Sequence, residues 1–196
     1  MEITPLHEDN ARSEELIREG WARRQSRDAP RAEGPHVSKI VNDWVVTAGL
    51  AKPWSGGSGD NFDLESMSRM TMGFIWEDLV GDYIAAYFHR VTQIPVVMDG
   101  IHGTIDAIDT QNNVVEEYKA TWRGEERAIQ DGIRWWTQIK AYCLMVRTKE
   151  ARLRVLHLCP VPRIRTYKLK FSDQELAENW LAIRNHWDYM TKKVSP

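Results

Sequence analysis

Cysteine is scarce in this chain: Cys143 and Cys159 are the only two in 196 residues. Two thiols cannot form a four-cysteine zinc site or a four-cysteine iron–sulfur cluster within one chain, and they are too few to staple a secreted domain. Long apolar runs are missing as well. None approaches the ~20 residues of a membrane helix, and Met1–Pro5 does not begin a basic segment followed by a hydrophobic one, so the expected compartment is the cytoplasm. Net charge is small, at -2, which excludes a general electrostatic attraction to nucleic acid. Any such surface must come from segregated charge. Between Arg147 and Lys170 there are eight basic residues (Arg147, Lys149, Arg152, Arg154, Arg163, Arg165, Lys168, Lys170) against one acid, Glu150. Acids gather instead between Asp99 and Glu126. A basic stretch beside an acidic cluster suits an enzyme that holds phosphates while binding a cation. The stretch alone reads more simply as a solvated basic hairpin.

What is present describes one ordinary globular domain. Hydrophobic residues make up 42% and charged residues 28%, the balance of a chain with a real core. The nine Trp residues read as core anchors and say nothing about DNA. Residues 1–36 are charged and polar, with a short helix expected at Ser13–Arg24 followed by a mobile loop, and residues 37–196 read as a single domain. Ser38 suits an N-cap for a helix to about Thr47. Lys52–Asp60 is a turn-rich loop expected to act as a flap. A long helix is predicted over Leu64–Arg90, burying Met72, Trp76, Leu79, Tyr83 and Tyr87. Extended segments follow at Pro95–Met98, Ile101–Ile108 and Val114–Thr121, the first two joined by an Asp99-Gly100 turn. A helix over Glu126–Val146 precedes a buried strand, Arg152–Cys159, and an edge strand, Arg163–Phe171. Ser172 and Glu175 form a capping-box pattern that opens a final helix to about Lys192. This order predicts an α/β fold with a central mixed β-sheet flanked by helices.

The chemistry concentrates in the segment from Gly103 to Lys119. Its two apolar strands flank a polar turn at Gln111–Asn113 and should pair as an antiparallel hairpin. A loop at Gln111-Asn112 puts Asp106 opposite Glu117, whereas a loop at Asn112-Asn113 puts it opposite Lys119. In both registers Asp106, Glu117 and Lys119 share one face, and Asp109 and Glu116 point to the other. Three charges on an apolar central hairpin are costly to bury without a partner. A cation held by Asp106 and Glu117 would resolve that cost, and oxygen ligands without a Cys or His set favour Mg²⁺ or Mn²⁺. Charged Lys119 cannot ligate a metal, but it can orient a water or stabilise a developing phosphorane. Read alone, the same residues describe a structural ion-pair network at least as well. On the following helix Arg134, Gln138 and Tyr142 fall in one stripe that could hydrogen-bond a DNA phosphate. Glu77 lies on a mostly apolar stripe with Gly73, Val80, Ile84 and Phe88, where a carboxylate calls for a partner. His102, just before the second strand, is close enough in sequence to contact the same site.

At these positions the chain resembles the PD-(D/E)xK nuclease superfamily, in its RecB-like and phage-exonuclease branch. Gly73–Glu77 is similar to the family's first helix, Gly103–Asp106 to its metal-aspartate strand, and Glu117-Tyr118-Lys119 to its acid-x-lysine element. Gln138–Tyr142 resembles the glutamine and tyrosine motif of the next helix. Ile105 stands where the superfamily's name has proline. The resemblance spans roughly Gly73 to Cys159 and implies a restriction-endonuclease-like core. It implies metal ligation by Asp106, Glu117, Glu77 and the Tyr118 carbonyl, catalysis by Lys119 with both acids, and substrate contacts from Gln138, Tyr142 and Arg134. The implied activity is Mg²⁺- or Mn²⁺-dependent hydrolysis of DNA phosphodiesters, as an exonuclease in recombination, repair or phage DNA processing. A duplex or branched-DNA endonuclease is the alternative. Expected partners are DNA, a second copy in a ring or dimer, and a recombinase, helicase or single-strand-binding protein. A non-catalytic DNA-binding protein and an assembly module are competing readings from other classes.

Overall fold

The computed structural model describes residues 33–52, 64–87, 90–124 and 132–194. Alternating apolar and polar residues build the strands β1 (Arg90–Met98), β2 (Ile101–Asp109) and β3 (Val114–Thr121). Asp99 and Gly100 join the first two with φ of 52° and 75°, the doubly left-handed conformation that a tight hairpin needs and that Asp-Gly adopts readily. Thr110–Asn113 join the next two. Here Asp109 Oδ1 accepts the amides of Gln111 and Asn112 at 3.2 Å each, and Asn113 takes φ 53°. Helix α3, labelled in chain order after α1 (Val37–Thr47) and α2 (Leu64–Tyr87), spans Ile133–Met145 and provides the crossover to β4 (Glu150–His157). That crossover makes β4 parallel to β3, as parallel neighbours require. Strand β5 (Arg163–Lys170) closes the sheet antiparallel to β4, and α4 (Asp173–Val194) ends the chain's described part. The strand order is β1-β2-β3-β4-β5, so the sheet is mixed, with the β2–β3 hairpin central and β1 and β5 at the edges.

Helices cover both faces. Val37, Ile40, Val41 and Val45 of α1, Ile139 and Cys143 of α3, and Leu176, Trp180 and Ile183 of α4 pack with Ile105, Val115, Leu153 and Val155 into the main core. Trp76 and Val80 of α2 cover Ala107 and Tyr118 on the opposite face. Polar ties hold the first layer. Asn179 donates to the Thr137 carbonyl at 3.0 Å, Trp180 Nε1 to Asp99 at 2.9 Å, and His186 Nε2 meets Asp43 at 2.7 Å. At the start of α4, Ser172 and Glu175 exchange the expected bonds, the Glu175 carboxylate taking the Ser172 amide at 2.8 Å and Ser172 Oγ the Glu175 amide at 3.2 Å.

Several boundaries differ from the sequence reading. The long helix ends at Tyr87, because Arg90 begins β1, where its guanidinium meets Asp109 at 2.8 Å and Glu116 at 3.1 Å. Strand β1 is accordingly longer than Pro95–Met98, and Pro95 is tolerated because it lies on an edge strand. Trp76 is buried as expected, but Leu79 is 65% exposed and Val80, one turn after Trp76, is buried in its place. The side chains of Tyr83 and Tyr87 lie outside the described part, as do the expected helix at Ser13–Arg24, most of the Lys52–Asp60 loop, and the start of the helix predicted from Glu126. The N-cap of α1 is His36, without a side-chain cap, and Ser38 lies inside the helix. The chain is fixed there instead by the Pro35 carbonyl accepting the His102 amide at 2.7 Å.

On the α2 face, two fully buried acids are saturated by arginines. Glu116 accepts from Arg90 at 3.1 Å, Arg152 at 2.9 Å and Arg154 at 3.1 Å, and also from the Tyr118 hydroxyl at 3.2 Å. Asp109 takes Arg90 at 2.8 Å, Arg152 at 2.9 Å and Asn112 Nδ2 at 2.9 Å. Burial opposes ionisation of Asp109, but the bonds from Asn112 and Arg152 and the charge of Arg90 prevail and hold its carboxyl at about 2. Because this pKa is depressed on folding, the stabilisation is complete above about pH 4 and is lost as pH falls through about 2. Thermal unfolding followed by circular dichroism should therefore show an acid-side loss of stability that is shallower in Asp109→Asn. Identical slopes for the two proteins would contradict this account.

Candidate active site

The hairpin register is Ala107↔Glu116, Ile108↔Val115 and Asp109↔Val114, which carried one step further sets Asp106 opposite Glu117. That is the register of the Gln111-Asn112 alternative, reached through a four-residue turn. The ladder stops short of Asp106, whose own Oδ2 accepts the Tyr118 amide at 2.7 Å. A carboxylate thus takes a backbone donor that would otherwise serve a ladder. On the other side the β1–β2 pairing skips Gln93 and Asp106, and Gln93 has φ 52°. Ile105 belongs to the main core but Ala107 to the α2 cluster, so the pleat slips at Asp106. Its carboxylate is buried at a break in an otherwise regular sheet.

Glu117 is wholly buried. Its Oε1 accepts Lys119 Nζ at 2.5 Å, whereas Oε2 has no hydrogen-bond partner among the described residues. Burial and the neighbouring Asp106 charge push the Glu117 carboxyl up to about 8, against the pull of Lys119. Asp106 is likewise raised by burial, opposed by Lys119 and the Tyr118 amide. Burial works against the Lys119 ammonium, but Glu117, Asp106 and Glu77 outweigh it and hold the lysine protonated well above its usual range. The Lys119 side chain is a fifth exposed. Tyr142 stays a neutral phenol, because burial and the charge of Glu117 both disfavour its anion. Gln138 Nε2 donates to its oxygen at 2.9 Å, which leaves the phenolic proton available to another acceptor.

The structure therefore gathers Asp106, Glu117, Lys119, Tyr142 and Gln138 on the α3 side of the sheet. Glu77 is near enough to act electrostatically on Glu117 and Lys119. Among the described residues, however, no three His, Cys, Asp or Glu side chains converge into a ready-made metal cage. Tyr118 lies between Glu117 and Lys119 along β3, with its amide on Asp106 and its hydroxyl turned to Glu116. Arg134 donates through Nη2 to the Lys52 carbonyl at 2.5 Å, so its guanidinium ties α3 to the chain after α1. His102 is engaged through its backbone with Pro35, and its ring lies 5.8 Å from that of His36. The donor set suits a divalent cation. Two hard carboxylates stand side by side, both disfavoured as anions, and one keeps a buried oxygen with nothing to bind it.

Gly103 has a role that the sequence motif did not explain. A Cβ there would lie 2.7 Å from Tyr142 Cε1, so only glycine lets the buried tyrosine lie flush on β2. A glycine inside an otherwise good strand is the available signal for such an approach.

No family model matches the chain, and no curated protein matches it in sequence. Solved structures do match in fold. The protein SSO0001 is 14% identical with a TM-score of 0.57, over 93% of this chain and 87% of its own. An alkaline exonuclease from Laribacter hongkongensis is 13% identical with a TM-score of 0.51, over 90% of this chain and 98% of its own. A phage-related exonuclease from Haemophilus somnus 129PT is 11% identical with a TM-score of 0.50, over 81% and 83%. The fold is restriction-endonuclease-like. At the level of fold these neighbours agree with the resemblance read from Gly73 to Cys159.

Filling the Gly103 position should force Tyr142 to move. Gly103→Ala is expected to lose about 1–3 kcal/mol, the usual range for overpacking, measured by urea unfolding. Tyr142→Ala introduced into the Gly103→Ala background should cost less than it does alone; additive losses would show that the ring is not the obstacle.

Proposed function

We propose that this protein is a divalent-metal-dependent DNA nuclease that hydrolyses phosphodiester bonds with Mg²⁺ or Mn²⁺, acting as an exonuclease. The observation that carries this reading is the buried Asp106–Glu117 pair beside Lys119, with Glu117 Oε2 unpartnered. The neighbours named as exonucleases support it, and one of them, the Laribacter hongkongensis enzyme, was solved in complex with dAMP.

Asp106 and Glu117 would hold the cation, with the Tyr118 carbonyl and Glu77 as further ligands, Glu77 directly or through water. Such an ion supplies Lewis-acid polarisation of the phosphate and a more acidic bound water. The chain's own groups account for the rest. The Tyr118 amide orients Asp106, so the carboxylate is preorganised and does not swing free. Lys119 keeps its positive charge next to Glu117, where it can place the attacking water and oppose the charge that develops on the phosphoryl oxygens. The Tyr142 phenol, oriented by Gln138, is a neutral donor suited to a phosphate oxygen. Arg134, held on the Lys52 carbonyl, contributes positive potential to the substrate side and anchors that end of α3.

Asp106→Ala and Lys119→Ala should each abolish cleavage of end-labelled linear DNA in Mn²⁺ while leaving the circular dichroism spectrum intact. EDTA should abolish it for the unaltered protein. Undiminished cleavage by either folded variant would refute the assignment. Covalently closed circles should resist digestion under conditions that consume linear DNA, and rapid linearisation of circles would establish an endonuclease instead.

A further inference from the structure

Strand β5 is an edge. It pairs with β4 along its whole length, and among the described residues no strand lies on its outer side. Such an edge carries a row of backbone N–H and C=O groups without ladder partners. Of its eight residues only Tyr167 and Leu169 are half-buried, and the others are exposed. Neither a proline nor a break in the pairing interrupts it.

A cavity of about 650 Å³ lies between this strand and α3. It is lined by Ile133, Trp136 and Lys140 on the helix and by every residue from Thr166 to Phe171 on the other side. Consecutive side chains of a strand point to opposite faces, so an unbroken run of lining residues brings the cavity to the backbone edge. Its floor is apolar, since Ile133, Trp136, Tyr167, Leu169 and Phe171 all pack at the margin of the main core.

Charge is segregated by face. Tyr167 and Leu169 turn to the α3 side with the core. Thr166 turns the other way, where its Oγ1 accepts Arg154 Nη1 at 3.3 Å, and Lys168 and Lys170 follow it at period two. Lys168 is exposed and takes part in no ion pair among the described residues. Lys170 is 3.7 Å from Glu150, and Lys140, on the groove side, is 3.9 Å from Glu175 and 5.6 Å from the Phe171 ring centre. Arg163, Arg165 and Tyr167 have contacts of their own, so the charge on offer is that of Lys168, with Lys170 loosely held.

A second copy of the chain does not suit this edge. Pairing β5 with itself would bring Arg163, Arg165, Lys168 and Lys170 of each copy to one seam with no acid among them, and basic residues on an edge are a common device against such pairing. Nucleic acid has no amides with which to extend the ladder.

We propose that the outer edge of β5 docks an extended segment of a partner protein in which apolar and acidic residues alternate, paired backbone to backbone as a sixth strand. Its apolar side chains enter the groove against Ile133, Trp136 and Leu169, and its acids face Lys168 and Lys170 across the strand pair. Main-chain pairing supplies affinity and the alternation supplies specificity. Because β5 stands two strands from β3, docking there draws on none of Asp106, Glu117 and Lys119, and the proposal is independent of the nuclease reading.

The test uses the full chain and a fluorescein-labelled peptide of alternating Val and Glu with the eight-residue length of β5, read by anisotropy. This peptide should bind, and one of the same composition with all Val before all Glu should show no binding over the same concentration range. N-methylation of one alternate set of its amides should abolish binding and of the other set should leave it, because only one edge of an added strand faces β5. Lys168→Glu should weaken the alternating peptide by roughly fivefold, as an exposed attraction becomes a repulsion. The inference falls if neither peptide binds, if the two bind alike, or if both methylated sets are tolerated. It falls equally if Lys168→Glu weakens single-stranded DNA binding in EDTA and leaves peptide binding unchanged, which would make the groove a nucleic-acid path.

Discussion

Two carboxylates buried side by side, Asp106 and Glu117, set the terms for the rest of the site. Neither ionises easily in that position, since each is desolvated and each repels the other. Lys119 offsets part of the penalty through Glu117 Oε1, and the Tyr118 amide offsets part through Asp106 Oδ2. The compensation is incomplete, because one oxygen of Glu117 remains without a partner and its carboxyl stays near 8. Removing a single member of such a cluster leaves a buried charge uncompensated. A divalent cation completes it, and this makes the acid pair an intelligible component of a hydrolytic enzyme.

The neighbouring residue shows that the fold can satisfy buried acids when it needs to. Glu116 is as buried as Glu117 but points to the opposite face, where Arg90, Arg152 and Arg154 surround it. Its pKa is lowered despite burial, that of Glu117 is raised, and the two are consecutive in the chain. The α2 face is thus a finished electrostatic structure, and the α3 face is an unfinished one. The geometric source of that difference is the slip of the pleat at Asp106 opposite Gln93, which admits a carboxylate where the sheet would otherwise present an apolar side chain.

The hairpin was legible because period-two alternation needs only the strands and a turn length. Either register of the Gln111–Asn113 turn brought Asp106, Glu117 and Lys119 to one face, so the grouping was insensitive to the ambiguity. The mixed sheet, the edge position of β5 and the capping box at Ser172 followed from similarly local signals. Other features depend on contacts distant in sequence. Arg90 leaves a helical pattern because Asp109 and Glu116, far along the chain, draw it into β1. His36 caps α1 because Pro35 pairs with His102. The pleat slip has no residue signature in β2, since the left-handed residue that accompanies it is Gln93 on the adjacent strand. Gly103 was visible as part of a motif, but only the position of Tyr142 explains it.

The run from Arg147 to Lys170 reads most simply as a solvated basic hairpin, and β4 and β5 do pair antiparallel with β5 largely exposed, yet part of its charge is spent inside the fold. Arg152 and Arg154 turn inward to Glu116, Lys149 meets Asp173 at 2.6 Å, and Lys170 lies 3.7 Å from Glu150. Local density of basic residues therefore measures the needs of the buried acids as much as any affinity for DNA. Outside that run, Arg134 is close enough to Arg123 to feel its charge. A protein with a net charge of -2 can hold a polyanion only where such a local excess survives internal pairing.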